Sequence, residues 1–435
     1  MKWQMRLDMV TRNILTGFFV KRSESRRGIT GSHKRRRKAC SYFLILLMAV
    51  QMAGCRNQES DGQEESKARE ELVLWSYYET DAQRSGLDNL VNGFNQSQTQ
   101  YRASWKYVPM TDFDKQLSRS YTEQSLPDMV LIDNPDMPVF IRLGVFEDIT
   151  QQIESWKLEE EYYKAAVETV SLDGRYYGIP FICNNLGLIY NKEMLKEAGV
   201  EPPGTWEELK TAAKELTVGE RKGFLMSAVD SEQGAFQILP WILSAGENPD
   251  QIGGEKTKEA FVFLDSMVED GSMSNECINL TQIDVARKFI AGEAAMIENG
   301  PWILSMLQEA GISYGITKLP VNRVSSMITG GENIGFIKGK NVEGSLKFFQ
   351  YCMNGEVMES FCIKTGSLPA KIKKAKKVVK KDEQLRVFEE QMEKAVARTS
   401  IPSWSAISKQ IPKSFYQMVS KEKTPEEAVD MLPEN

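Results

Sequence analysis

Short apolar runs alternate along this chain with stretches in which apolar residues return every three or four positions. Leu72-Val73-Leu74-Trp75 is a brief run fit for a strand buried on both faces, and Leu87, Leu90, Val91 and Phe94 then recur at helical spacing. Met129 to Ile132 predicts a second buried strand, and Leu186 to Tyr190 a third. Two helix starts are marked by capping boxes: Thr205 with Glu208, and Thr424 with Glu427 and Pro425 at the first helical position. Alternation of this kind predicts an α/β architecture. Trp75 and Trp206 are expected to pack in the interior. Asp128, at a strand entrance after Leu126-Pro127, is expected to fix backbone, and Tyr190 and Asn191 to serve the fold. The lysine-rich stretch 371–381 keeps Ile372, Ala375 and Val379 at helical spacing, which predicts a helix with a solvated face.

The first seventy residues break the pattern. A basic cluster, His33-Lys34-Arg35-Arg36-Arg37-Lys38, runs into an apolar stretch from Tyr42 to Val50 that closes on Met52-Ala53-Gly54-Cys55. A positive region, a short apolar region and small residues before a cleavage point describe an export signal. The apolar stretch falls short of the roughly 20 residues a spanning helix needs. Small residues directly before a cysteine match the lipobox of bacterial lipoproteins, with Met52 where Leu is more usual. Cys55 is therefore the expected lipidation site, residues 1–54 an N-terminal extension plus signal peptide, and 55–71 a polar, flexible tether. Residues 1–33 carry no globular pattern, and a translation start nearer the basic run is the expectation there.

Charge and rare residues then narrow the chemistry. The first 54 residues hold 12 of the 54 basic and 2 of the 60 acidic side chains, so the remainder carries 42 against 58, a formal net charge of −16. Such a surface argues against nucleic acid, which is bound by neutralising phosphates. The single histidine, His33, lies in the signal, so histidine triads, bases and metal sites are excluded from the mature part. Neither a metal nor a cofactor is expected. Cys183, Cys277, Cys352 and Cys362 remain, none in a CxxC pair; buried free thiols are expected, with a Cys352–Cys362 bridge as the alternative.

A set of ordered motifs goes further. Asp173-Gly174-Arg175-Tyr176-Tyr177-Gly178-Ile179-Pro180 is followed by Leu188-Ile189-Tyr190-Asn191-Lys192-Glu193-Met194-Leu195 and by Thr205-Trp206-Glu207-Glu208-Leu209. Leu126-Pro127-Asp128-Met129-Val130, Ala291-Gly292-Glu293-Ala294-Ala295-Met296 with Asn299-Gly300-Pro301-Trp302, and Thr365-Gly366-Ser367-Leu368-Pro369-Ala370 fall in matching order around them. Over residues 72–430 the chain resembles the extracellular solute-binding proteins that include maltose-binding protein. The resemblance implies a two-lobed, periplasmic-binding-protein-like α/β fold with a three-crossing hinge and a ligand cleft between the lobes. Crossings are expected near Ile182–Asn184, Thr329–Gly331 and Thr365–Leu368. One lobe would then hold 72–182 plus 330–365, and the other 183–329 plus 366–435.

Carried onto this sequence, the resemblance also implies a ligand site. Reversible capture of a sugar needs flat rings for its C–H faces and planar polar groups for its hydroxyls. Tyr78 and Glu79 follow the first strand and Asp133 and Asn134 the second, where ligands of α/β folds gather at strand carboxyl ends. Asn184 stands at the first crossing, an amide where maltose-binding protein has a carboxylate, which weighs against a maltose-like specificity. Trp302 matches the family's stacking tryptophan, and Trp404 a second aromatic. Phe236 and Gln233 fall near a third ligand-facing segment, and Glu332 lies beside the second crossing. Arginine is scarce near these positions, which counts against an anionic ligand.

The implied function is that of a non-enzymatic binding protein, anchored by lipid at the extracytoplasmic face of the cell membrane. It would be a monomer that captures a carbohydrate, in the first instance an oligosaccharide, and delivers it to ABC permease subunits. The alternatives are a ligand-sensing lipoprotein serving a membrane kinase and a secreted glycosidase using cleft carboxylates.

Overall fold

In the computed structural model, which describes residues 68–433, the first apolar run forms β1 (Glu70–Ser76), beginning inside the stretch expected as tether. The signal peptide and Cys55 lie outside the described residues. β1 pairs in parallel with β2 (Tyr101–Tyr107) and β3 (Met129–Asp133). Between β1 and β2 runs the helix Asp81–Ser97, whose Leu87, Leu90, Val91 and Phe94 are all buried. Burying one such side chain contributes about 2 kcal/mol, so this stripe is what holds the helix to its sheet. Asp128 fixes backbone as expected, its carboxylate accepting from Val73 N at 2.8 Å.

A short hairpin of β4 (Ser171–Leu172) and β5 (Arg175–Tyr176) leads into β6 (Gly178–Asn184). The chain then leaves this sheet and begins another. β7 (Gly187–Asn191), β8 (Lys222–Leu225), β9 (Ala294–Asn299) and β10 (Tyr314–Thr317) form a four-stranded sheet in the order β10-β7-β9-β8. β11 (Ile328–Phe336) returns to the first sheet, between β6 and β3 and antiparallel to both. β12 (Leu368–Pro369) pairs with β6 and β13 (Val396–Ala397) with β11, so the first sheet runs β12-β6-β11-β3-β1-β2 with β13 as a branch. Helices cover the faces of both sheets, and the fold is two-lobed α/β.

At the expected third crossing the chain adds a short strand to the first sheet. Gly366 ends the helix Gly355–Thr365 in the left-handed conformation, and the next residues lie along the outer edge of β6. That edge carries backbone groups that need partners, and β12 supplies them. Residues 366–397 thus touch both lobes: Leu368 and Pro369 extend the first sheet, while Gln384 meets Tyr314 of β10 and Glu390 pairs with Lys318 just beyond it. The helix Trp404–Val419 then packs on Glu232–Ser244 of the second lobe. Both capping boxes form as read, at Thr205 and Thr424. Trp206 stacks on Phe263 at 4.3 Å between ring centroids, and Trp75 is buried. All four cysteines of the body are free and buried, which excludes the Cys352–Cys362 bridge.

Close approach of β11 to β6 requires glycine. At Gly331 the backbone has φ +122°, and a Cβ there would stand 2.3 Å from the Ile182 carbonyl oxygen. Gly331→Ala should therefore cost about 3 kcal/mol of stability through forced backbone strain plus this clash, read as a lowered urea midpoint with unchanged slope.

Candidate functional site

Strand ends of the first sheet and helix starts of the second lobe converge on one cavity. The first lobe brings Tyr77, Tyr78 and Glu79 after β1, Asp133 at the end of β3, Ile182 and Asn184 at the end of β6, and Gly330, Gly331 and Glu332 of β11. Glu332 and Asp133 are direct register partners, so pairing of the two strands alone sets their carboxylates side by side. From the second lobe come Glu232, Gln233 and Phe236 in the first turns of Glu232–Ser244, Gln282 and Ile283 at another helix start, and Trp302 just past β9. Met110, Gln83, the turn Thr365–Ser367 and Arg398 complete the wall.

Eight of the expected site residues line this cavity: Tyr78, Glu79, Asp133, Asn184, Gln233, Phe236, Trp302 and Glu332. Trp302 is only partly buried, and its indole lies over Gly300, where a Cβ would come within 1.9 Å of the ring. Phe236 stands beside it at 6.3 Å between centroids, tilted by 42°. Two rings at an angle thus form an apolar corner facing the carboxylates of the other lobe.

Two expected residues are not brought to the cavity. Trp404 opens the helix Trp404–Val419 and is 6% exposed, its ring held in the core with an unbonded Nε1. It falls one turn beyond the segment that does reach the cleft, so the helix start buries it. Asn134 lies one residue past Asp133, in the turn that follows β3, and is not among the residues lining the cavity. Its backbone N–H donates to Gly331 O at 3.0 Å, while its side-chain amide is buried with no partner.

The residue missed from sequence is Arg398, and the expected scarcity of arginine at the site is corrected by it. It is 3% exposed. Its Nη2 donates to Asp133 Oδ1 at 3.1 Å, its Nη1 to Glu232 Oε1 at 2.6 Å, and its Nε to Thr329 O at 3.3 Å. The guanidinium carbon lies 4.5 Å from the centre of the Phe236 ring. Nothing local in Ala397-Arg398-Thr399 signals this; the signal is the pairing of β13 with β11, which only the fold provides.

Acids outnumber this one cation. Burial and the neighbouring Asp133 push Glu332 up to about 8, against the opposing influence of Tyr77 and Tyr78. Tyr77 donates its hydroxyl to Glu332 Oε1 at 3.1 Å, while Glu332 Oε2 and the Tyr78 hydroxyl make no hydrogen bond of good geometry. Glu232 is pushed up to about 7 by burial, with Arg398 pulling the other way. Behind the wall, burial and Asp133 raise Asp114 to about 6. Asp136 is raised by burial, then by Asp114 and Asp133. Among the described residues no group of three or more histidine, cysteine or carboxylate side chains is disposed to hold a metal ion.

Glu332 gives the site a pH signature. An unfolded chain releases this proton near the ordinary glutamate value of about 4.3, whereas the folded chain keeps it until about 8. Between the two values the native state binds more protons, so stability falls as pH rises through that window and levels off above it. The melting temperature of the ligand-free protein should drop between about pH 5 and about pH 8, and Glu332→Gln should flatten that drop by several degrees. An equal drop in the variant would assign the dependence to other groups.

Residues 89–387 match the family model described as bacterial extracellular solute-binding protein. A galactooligosaccharide-binding protein of Bacillus subtilis is 24% identical over 422 residues, covering 91% of this chain and 96% of its own length. Among solved structures, an ABC transporter solute-binding protein of Thermotoga lettingae, bound to alpha-D-tagatose, aligns with a TM-score of 0.77 at 21% identity, over 83% of this chain and 97% of that one. The GacH receptor of Streptomyces glaucescens, solved unliganded and with acarbose, aligns with a TM-score of 0.75 at 22% identity, over 83% and 96%. The fold, the cleft at its strand ends and the extent of the family match lead to one assignment: the chain belongs to the bacterial extracellular solute-binding proteins.

Proposed function

We propose that this protein is the lipid-anchored solute-capturing subunit of an ABC importer, and that its cleft takes a carbohydrate, an oligosaccharide in the first instance. One observation carries the reading: an angled pair of rings, Trp302 and Phe236, opposes hydrogen-bonding side chains of the other lobe, Asp133, Asn184 and Glu332, across one cavity. Rings cover the apolar faces of a sugar, and the acids and amide accept from its hydroxyls. The sugars named for the similar proteins above support the same class of ligand.

Capture is by hinge closure. Ligand held on one lobe completes its contacts only when the other lobe meets it, so it shifts the population toward the closed form by its greater affinity for that form. The closed form is the one delivered to the permease. Two acyl chains on Cys55 would keep the protein at the membrane surface, where its concentration near the permease is raised. Among the described residues no helix is long and apolar enough to cross a membrane.

A thermal-shift screen against mono- and oligosaccharides, amino acids and polyamines checks the ligand class. A sugar should raise the melting temperature in a concentration-dependent way; stabilisation by amino acids or polyamines alone would overturn the carbohydrate assignment. Trp302→Ala should weaken binding of that sugar at least about tenfold, some 1.4 kcal/mol, without lowering the melting temperature of the ligand-free protein. Cys55→Ser should move the protein from the membrane fraction to the medium on cell fractionation, and retention in the membrane would rule out the anchor.

A further inference from the structure

We propose that Arg398 is the positioning residue that lets the cleft shut, one guanidinium shared between a carboxylate on each lobe. The proposal rests on capture by closure, and it needs no particular ligand. Asp133 ends a strand of the first sheet, and Glu232 opens a helix of the second lobe. Arg398 bonds both at once, at 3.1 and 2.6 Å. Its own place is set by the hinge, because β13 pairs Val396 with Ile328 and Ala397 with Thr329, and its Nε donates to the Thr329 carbonyl. The face of the guanidinium is occupied by Phe236. With three hydrogen bonds, a covered face and 3% exposure, the side chain is committed to the protein and is not held ready for solute.

Closure brings acidic groups together in a setting poor in water, where like charges repel far more strongly than in bulk solvent. Asp133 and Glu232 approach from opposite lobes, and the one guanidinium between them turns that repulsion into a tie. A planar fork serves two carboxylates in different directions while its flat face lies on a ring, a geometry the compact ammonium of lysine does not reproduce. Removing one member of such a buried set leaves an uncompensated charge. Arg398 therefore biases the lobes toward each other before any solute arrives, and a solute completes a closure already favoured.

Small-angle X-ray scattering of the Cys55→Ser protein, with no sugar present, tests this directly. Arg398→Gln and Arg398→Lys should each shift the radius of gyration and the maximum dimension to larger values, with far-ultraviolet circular dichroism unchanged. Glu232→Gln removes only the second-lobe half of the tie, and should give the same expansion; it carries the test if the arginine variants fail to fold. Arg386→Gln, which breaks an exposed ion pair with Glu383, should leave the dimensions as they were. Folded Arg398 and Glu232 variants with wild-type dimensions would overturn the proposal. Because no sugar enters the measurement, an expansion alongside a failed sugar screen would keep the tie and discard the carbohydrate, and the reverse pair of results would do the opposite.

Discussion

The cleft depends on how closely β11 can lie against β6. These two strands belong to the first sheet, yet their ends at the cleft are also where the chain passes to and from the second lobe. Asn184 pairs with Gly330, Cys183 with Gly331 and Ile182 with Glu332. A Cβ at Gly330 would meet the Asn184 side chain and the Phe236 ring, and one at Gly331 would meet backbone of β6. Two successive residues without side chains thus open the space that the polar ends of neighbouring strands then fill. A Cβ at Gly331 would force β6 outward, and one at Gly330 would displace the Asn184 amide and the Phe236 ring from their places at the cleft.

Burial of the polar groups around that space follows from the same geometry. Asp133 and Glu332 are each 7% exposed, and strand pairing sets them in adjacent positions whatever their charge. A buried carboxyl without a partner is costly, and it answers either by keeping its proton or by finding a cation. Both answers occur here. Asp133 has Arg398, while Glu332 is held toward the protonated form and has one tyrosine hydroxyl. Hydrogen-bonding capacity that the protein's own groups leave unused, as at Glu332 Oε2 and the Tyr78 hydroxyl, lets such a wall tell a solute with hydroxyls from one without them.

Legibility from sequence divided along a physical line. Strands and helices with strong periodicity were readable, as were the caps at Thr205 and Thr424, because their causes lie within a few residues. The same holds for Glu79 and Asp133, which fall at or just past the ends of strands readable from their apolar runs, whereas Trp302 came from the resemblance. Arg398 and Glu232 were not readable. Neither lies in a motif, and they meet because β13 joins β11 while Glu232–Ser244 opens at the cleft, a relation between segments 166 residues apart. Trp404, matched to a second aromatic by the resemblance, is not among the cavity-lining residues, and the helix it opens buries its ring. The pairing of β12 with β6 was not readable either, because the need of β6 for a partner on its outer edge is a property of the assembled sheet.

The thiols carry a consequence of a different kind. Cys183, Cys277, Cys352 and Cys362 are each fully buried, and burial raises all four above the ordinary range for a thiol. Oxidation and disulfide exchange proceed through the thiolate, which these sites both disfavour and shield. A member of an extracellular family built this way reaches its native state without an oxidoreductase, and changes in ambient redox potential pass it by.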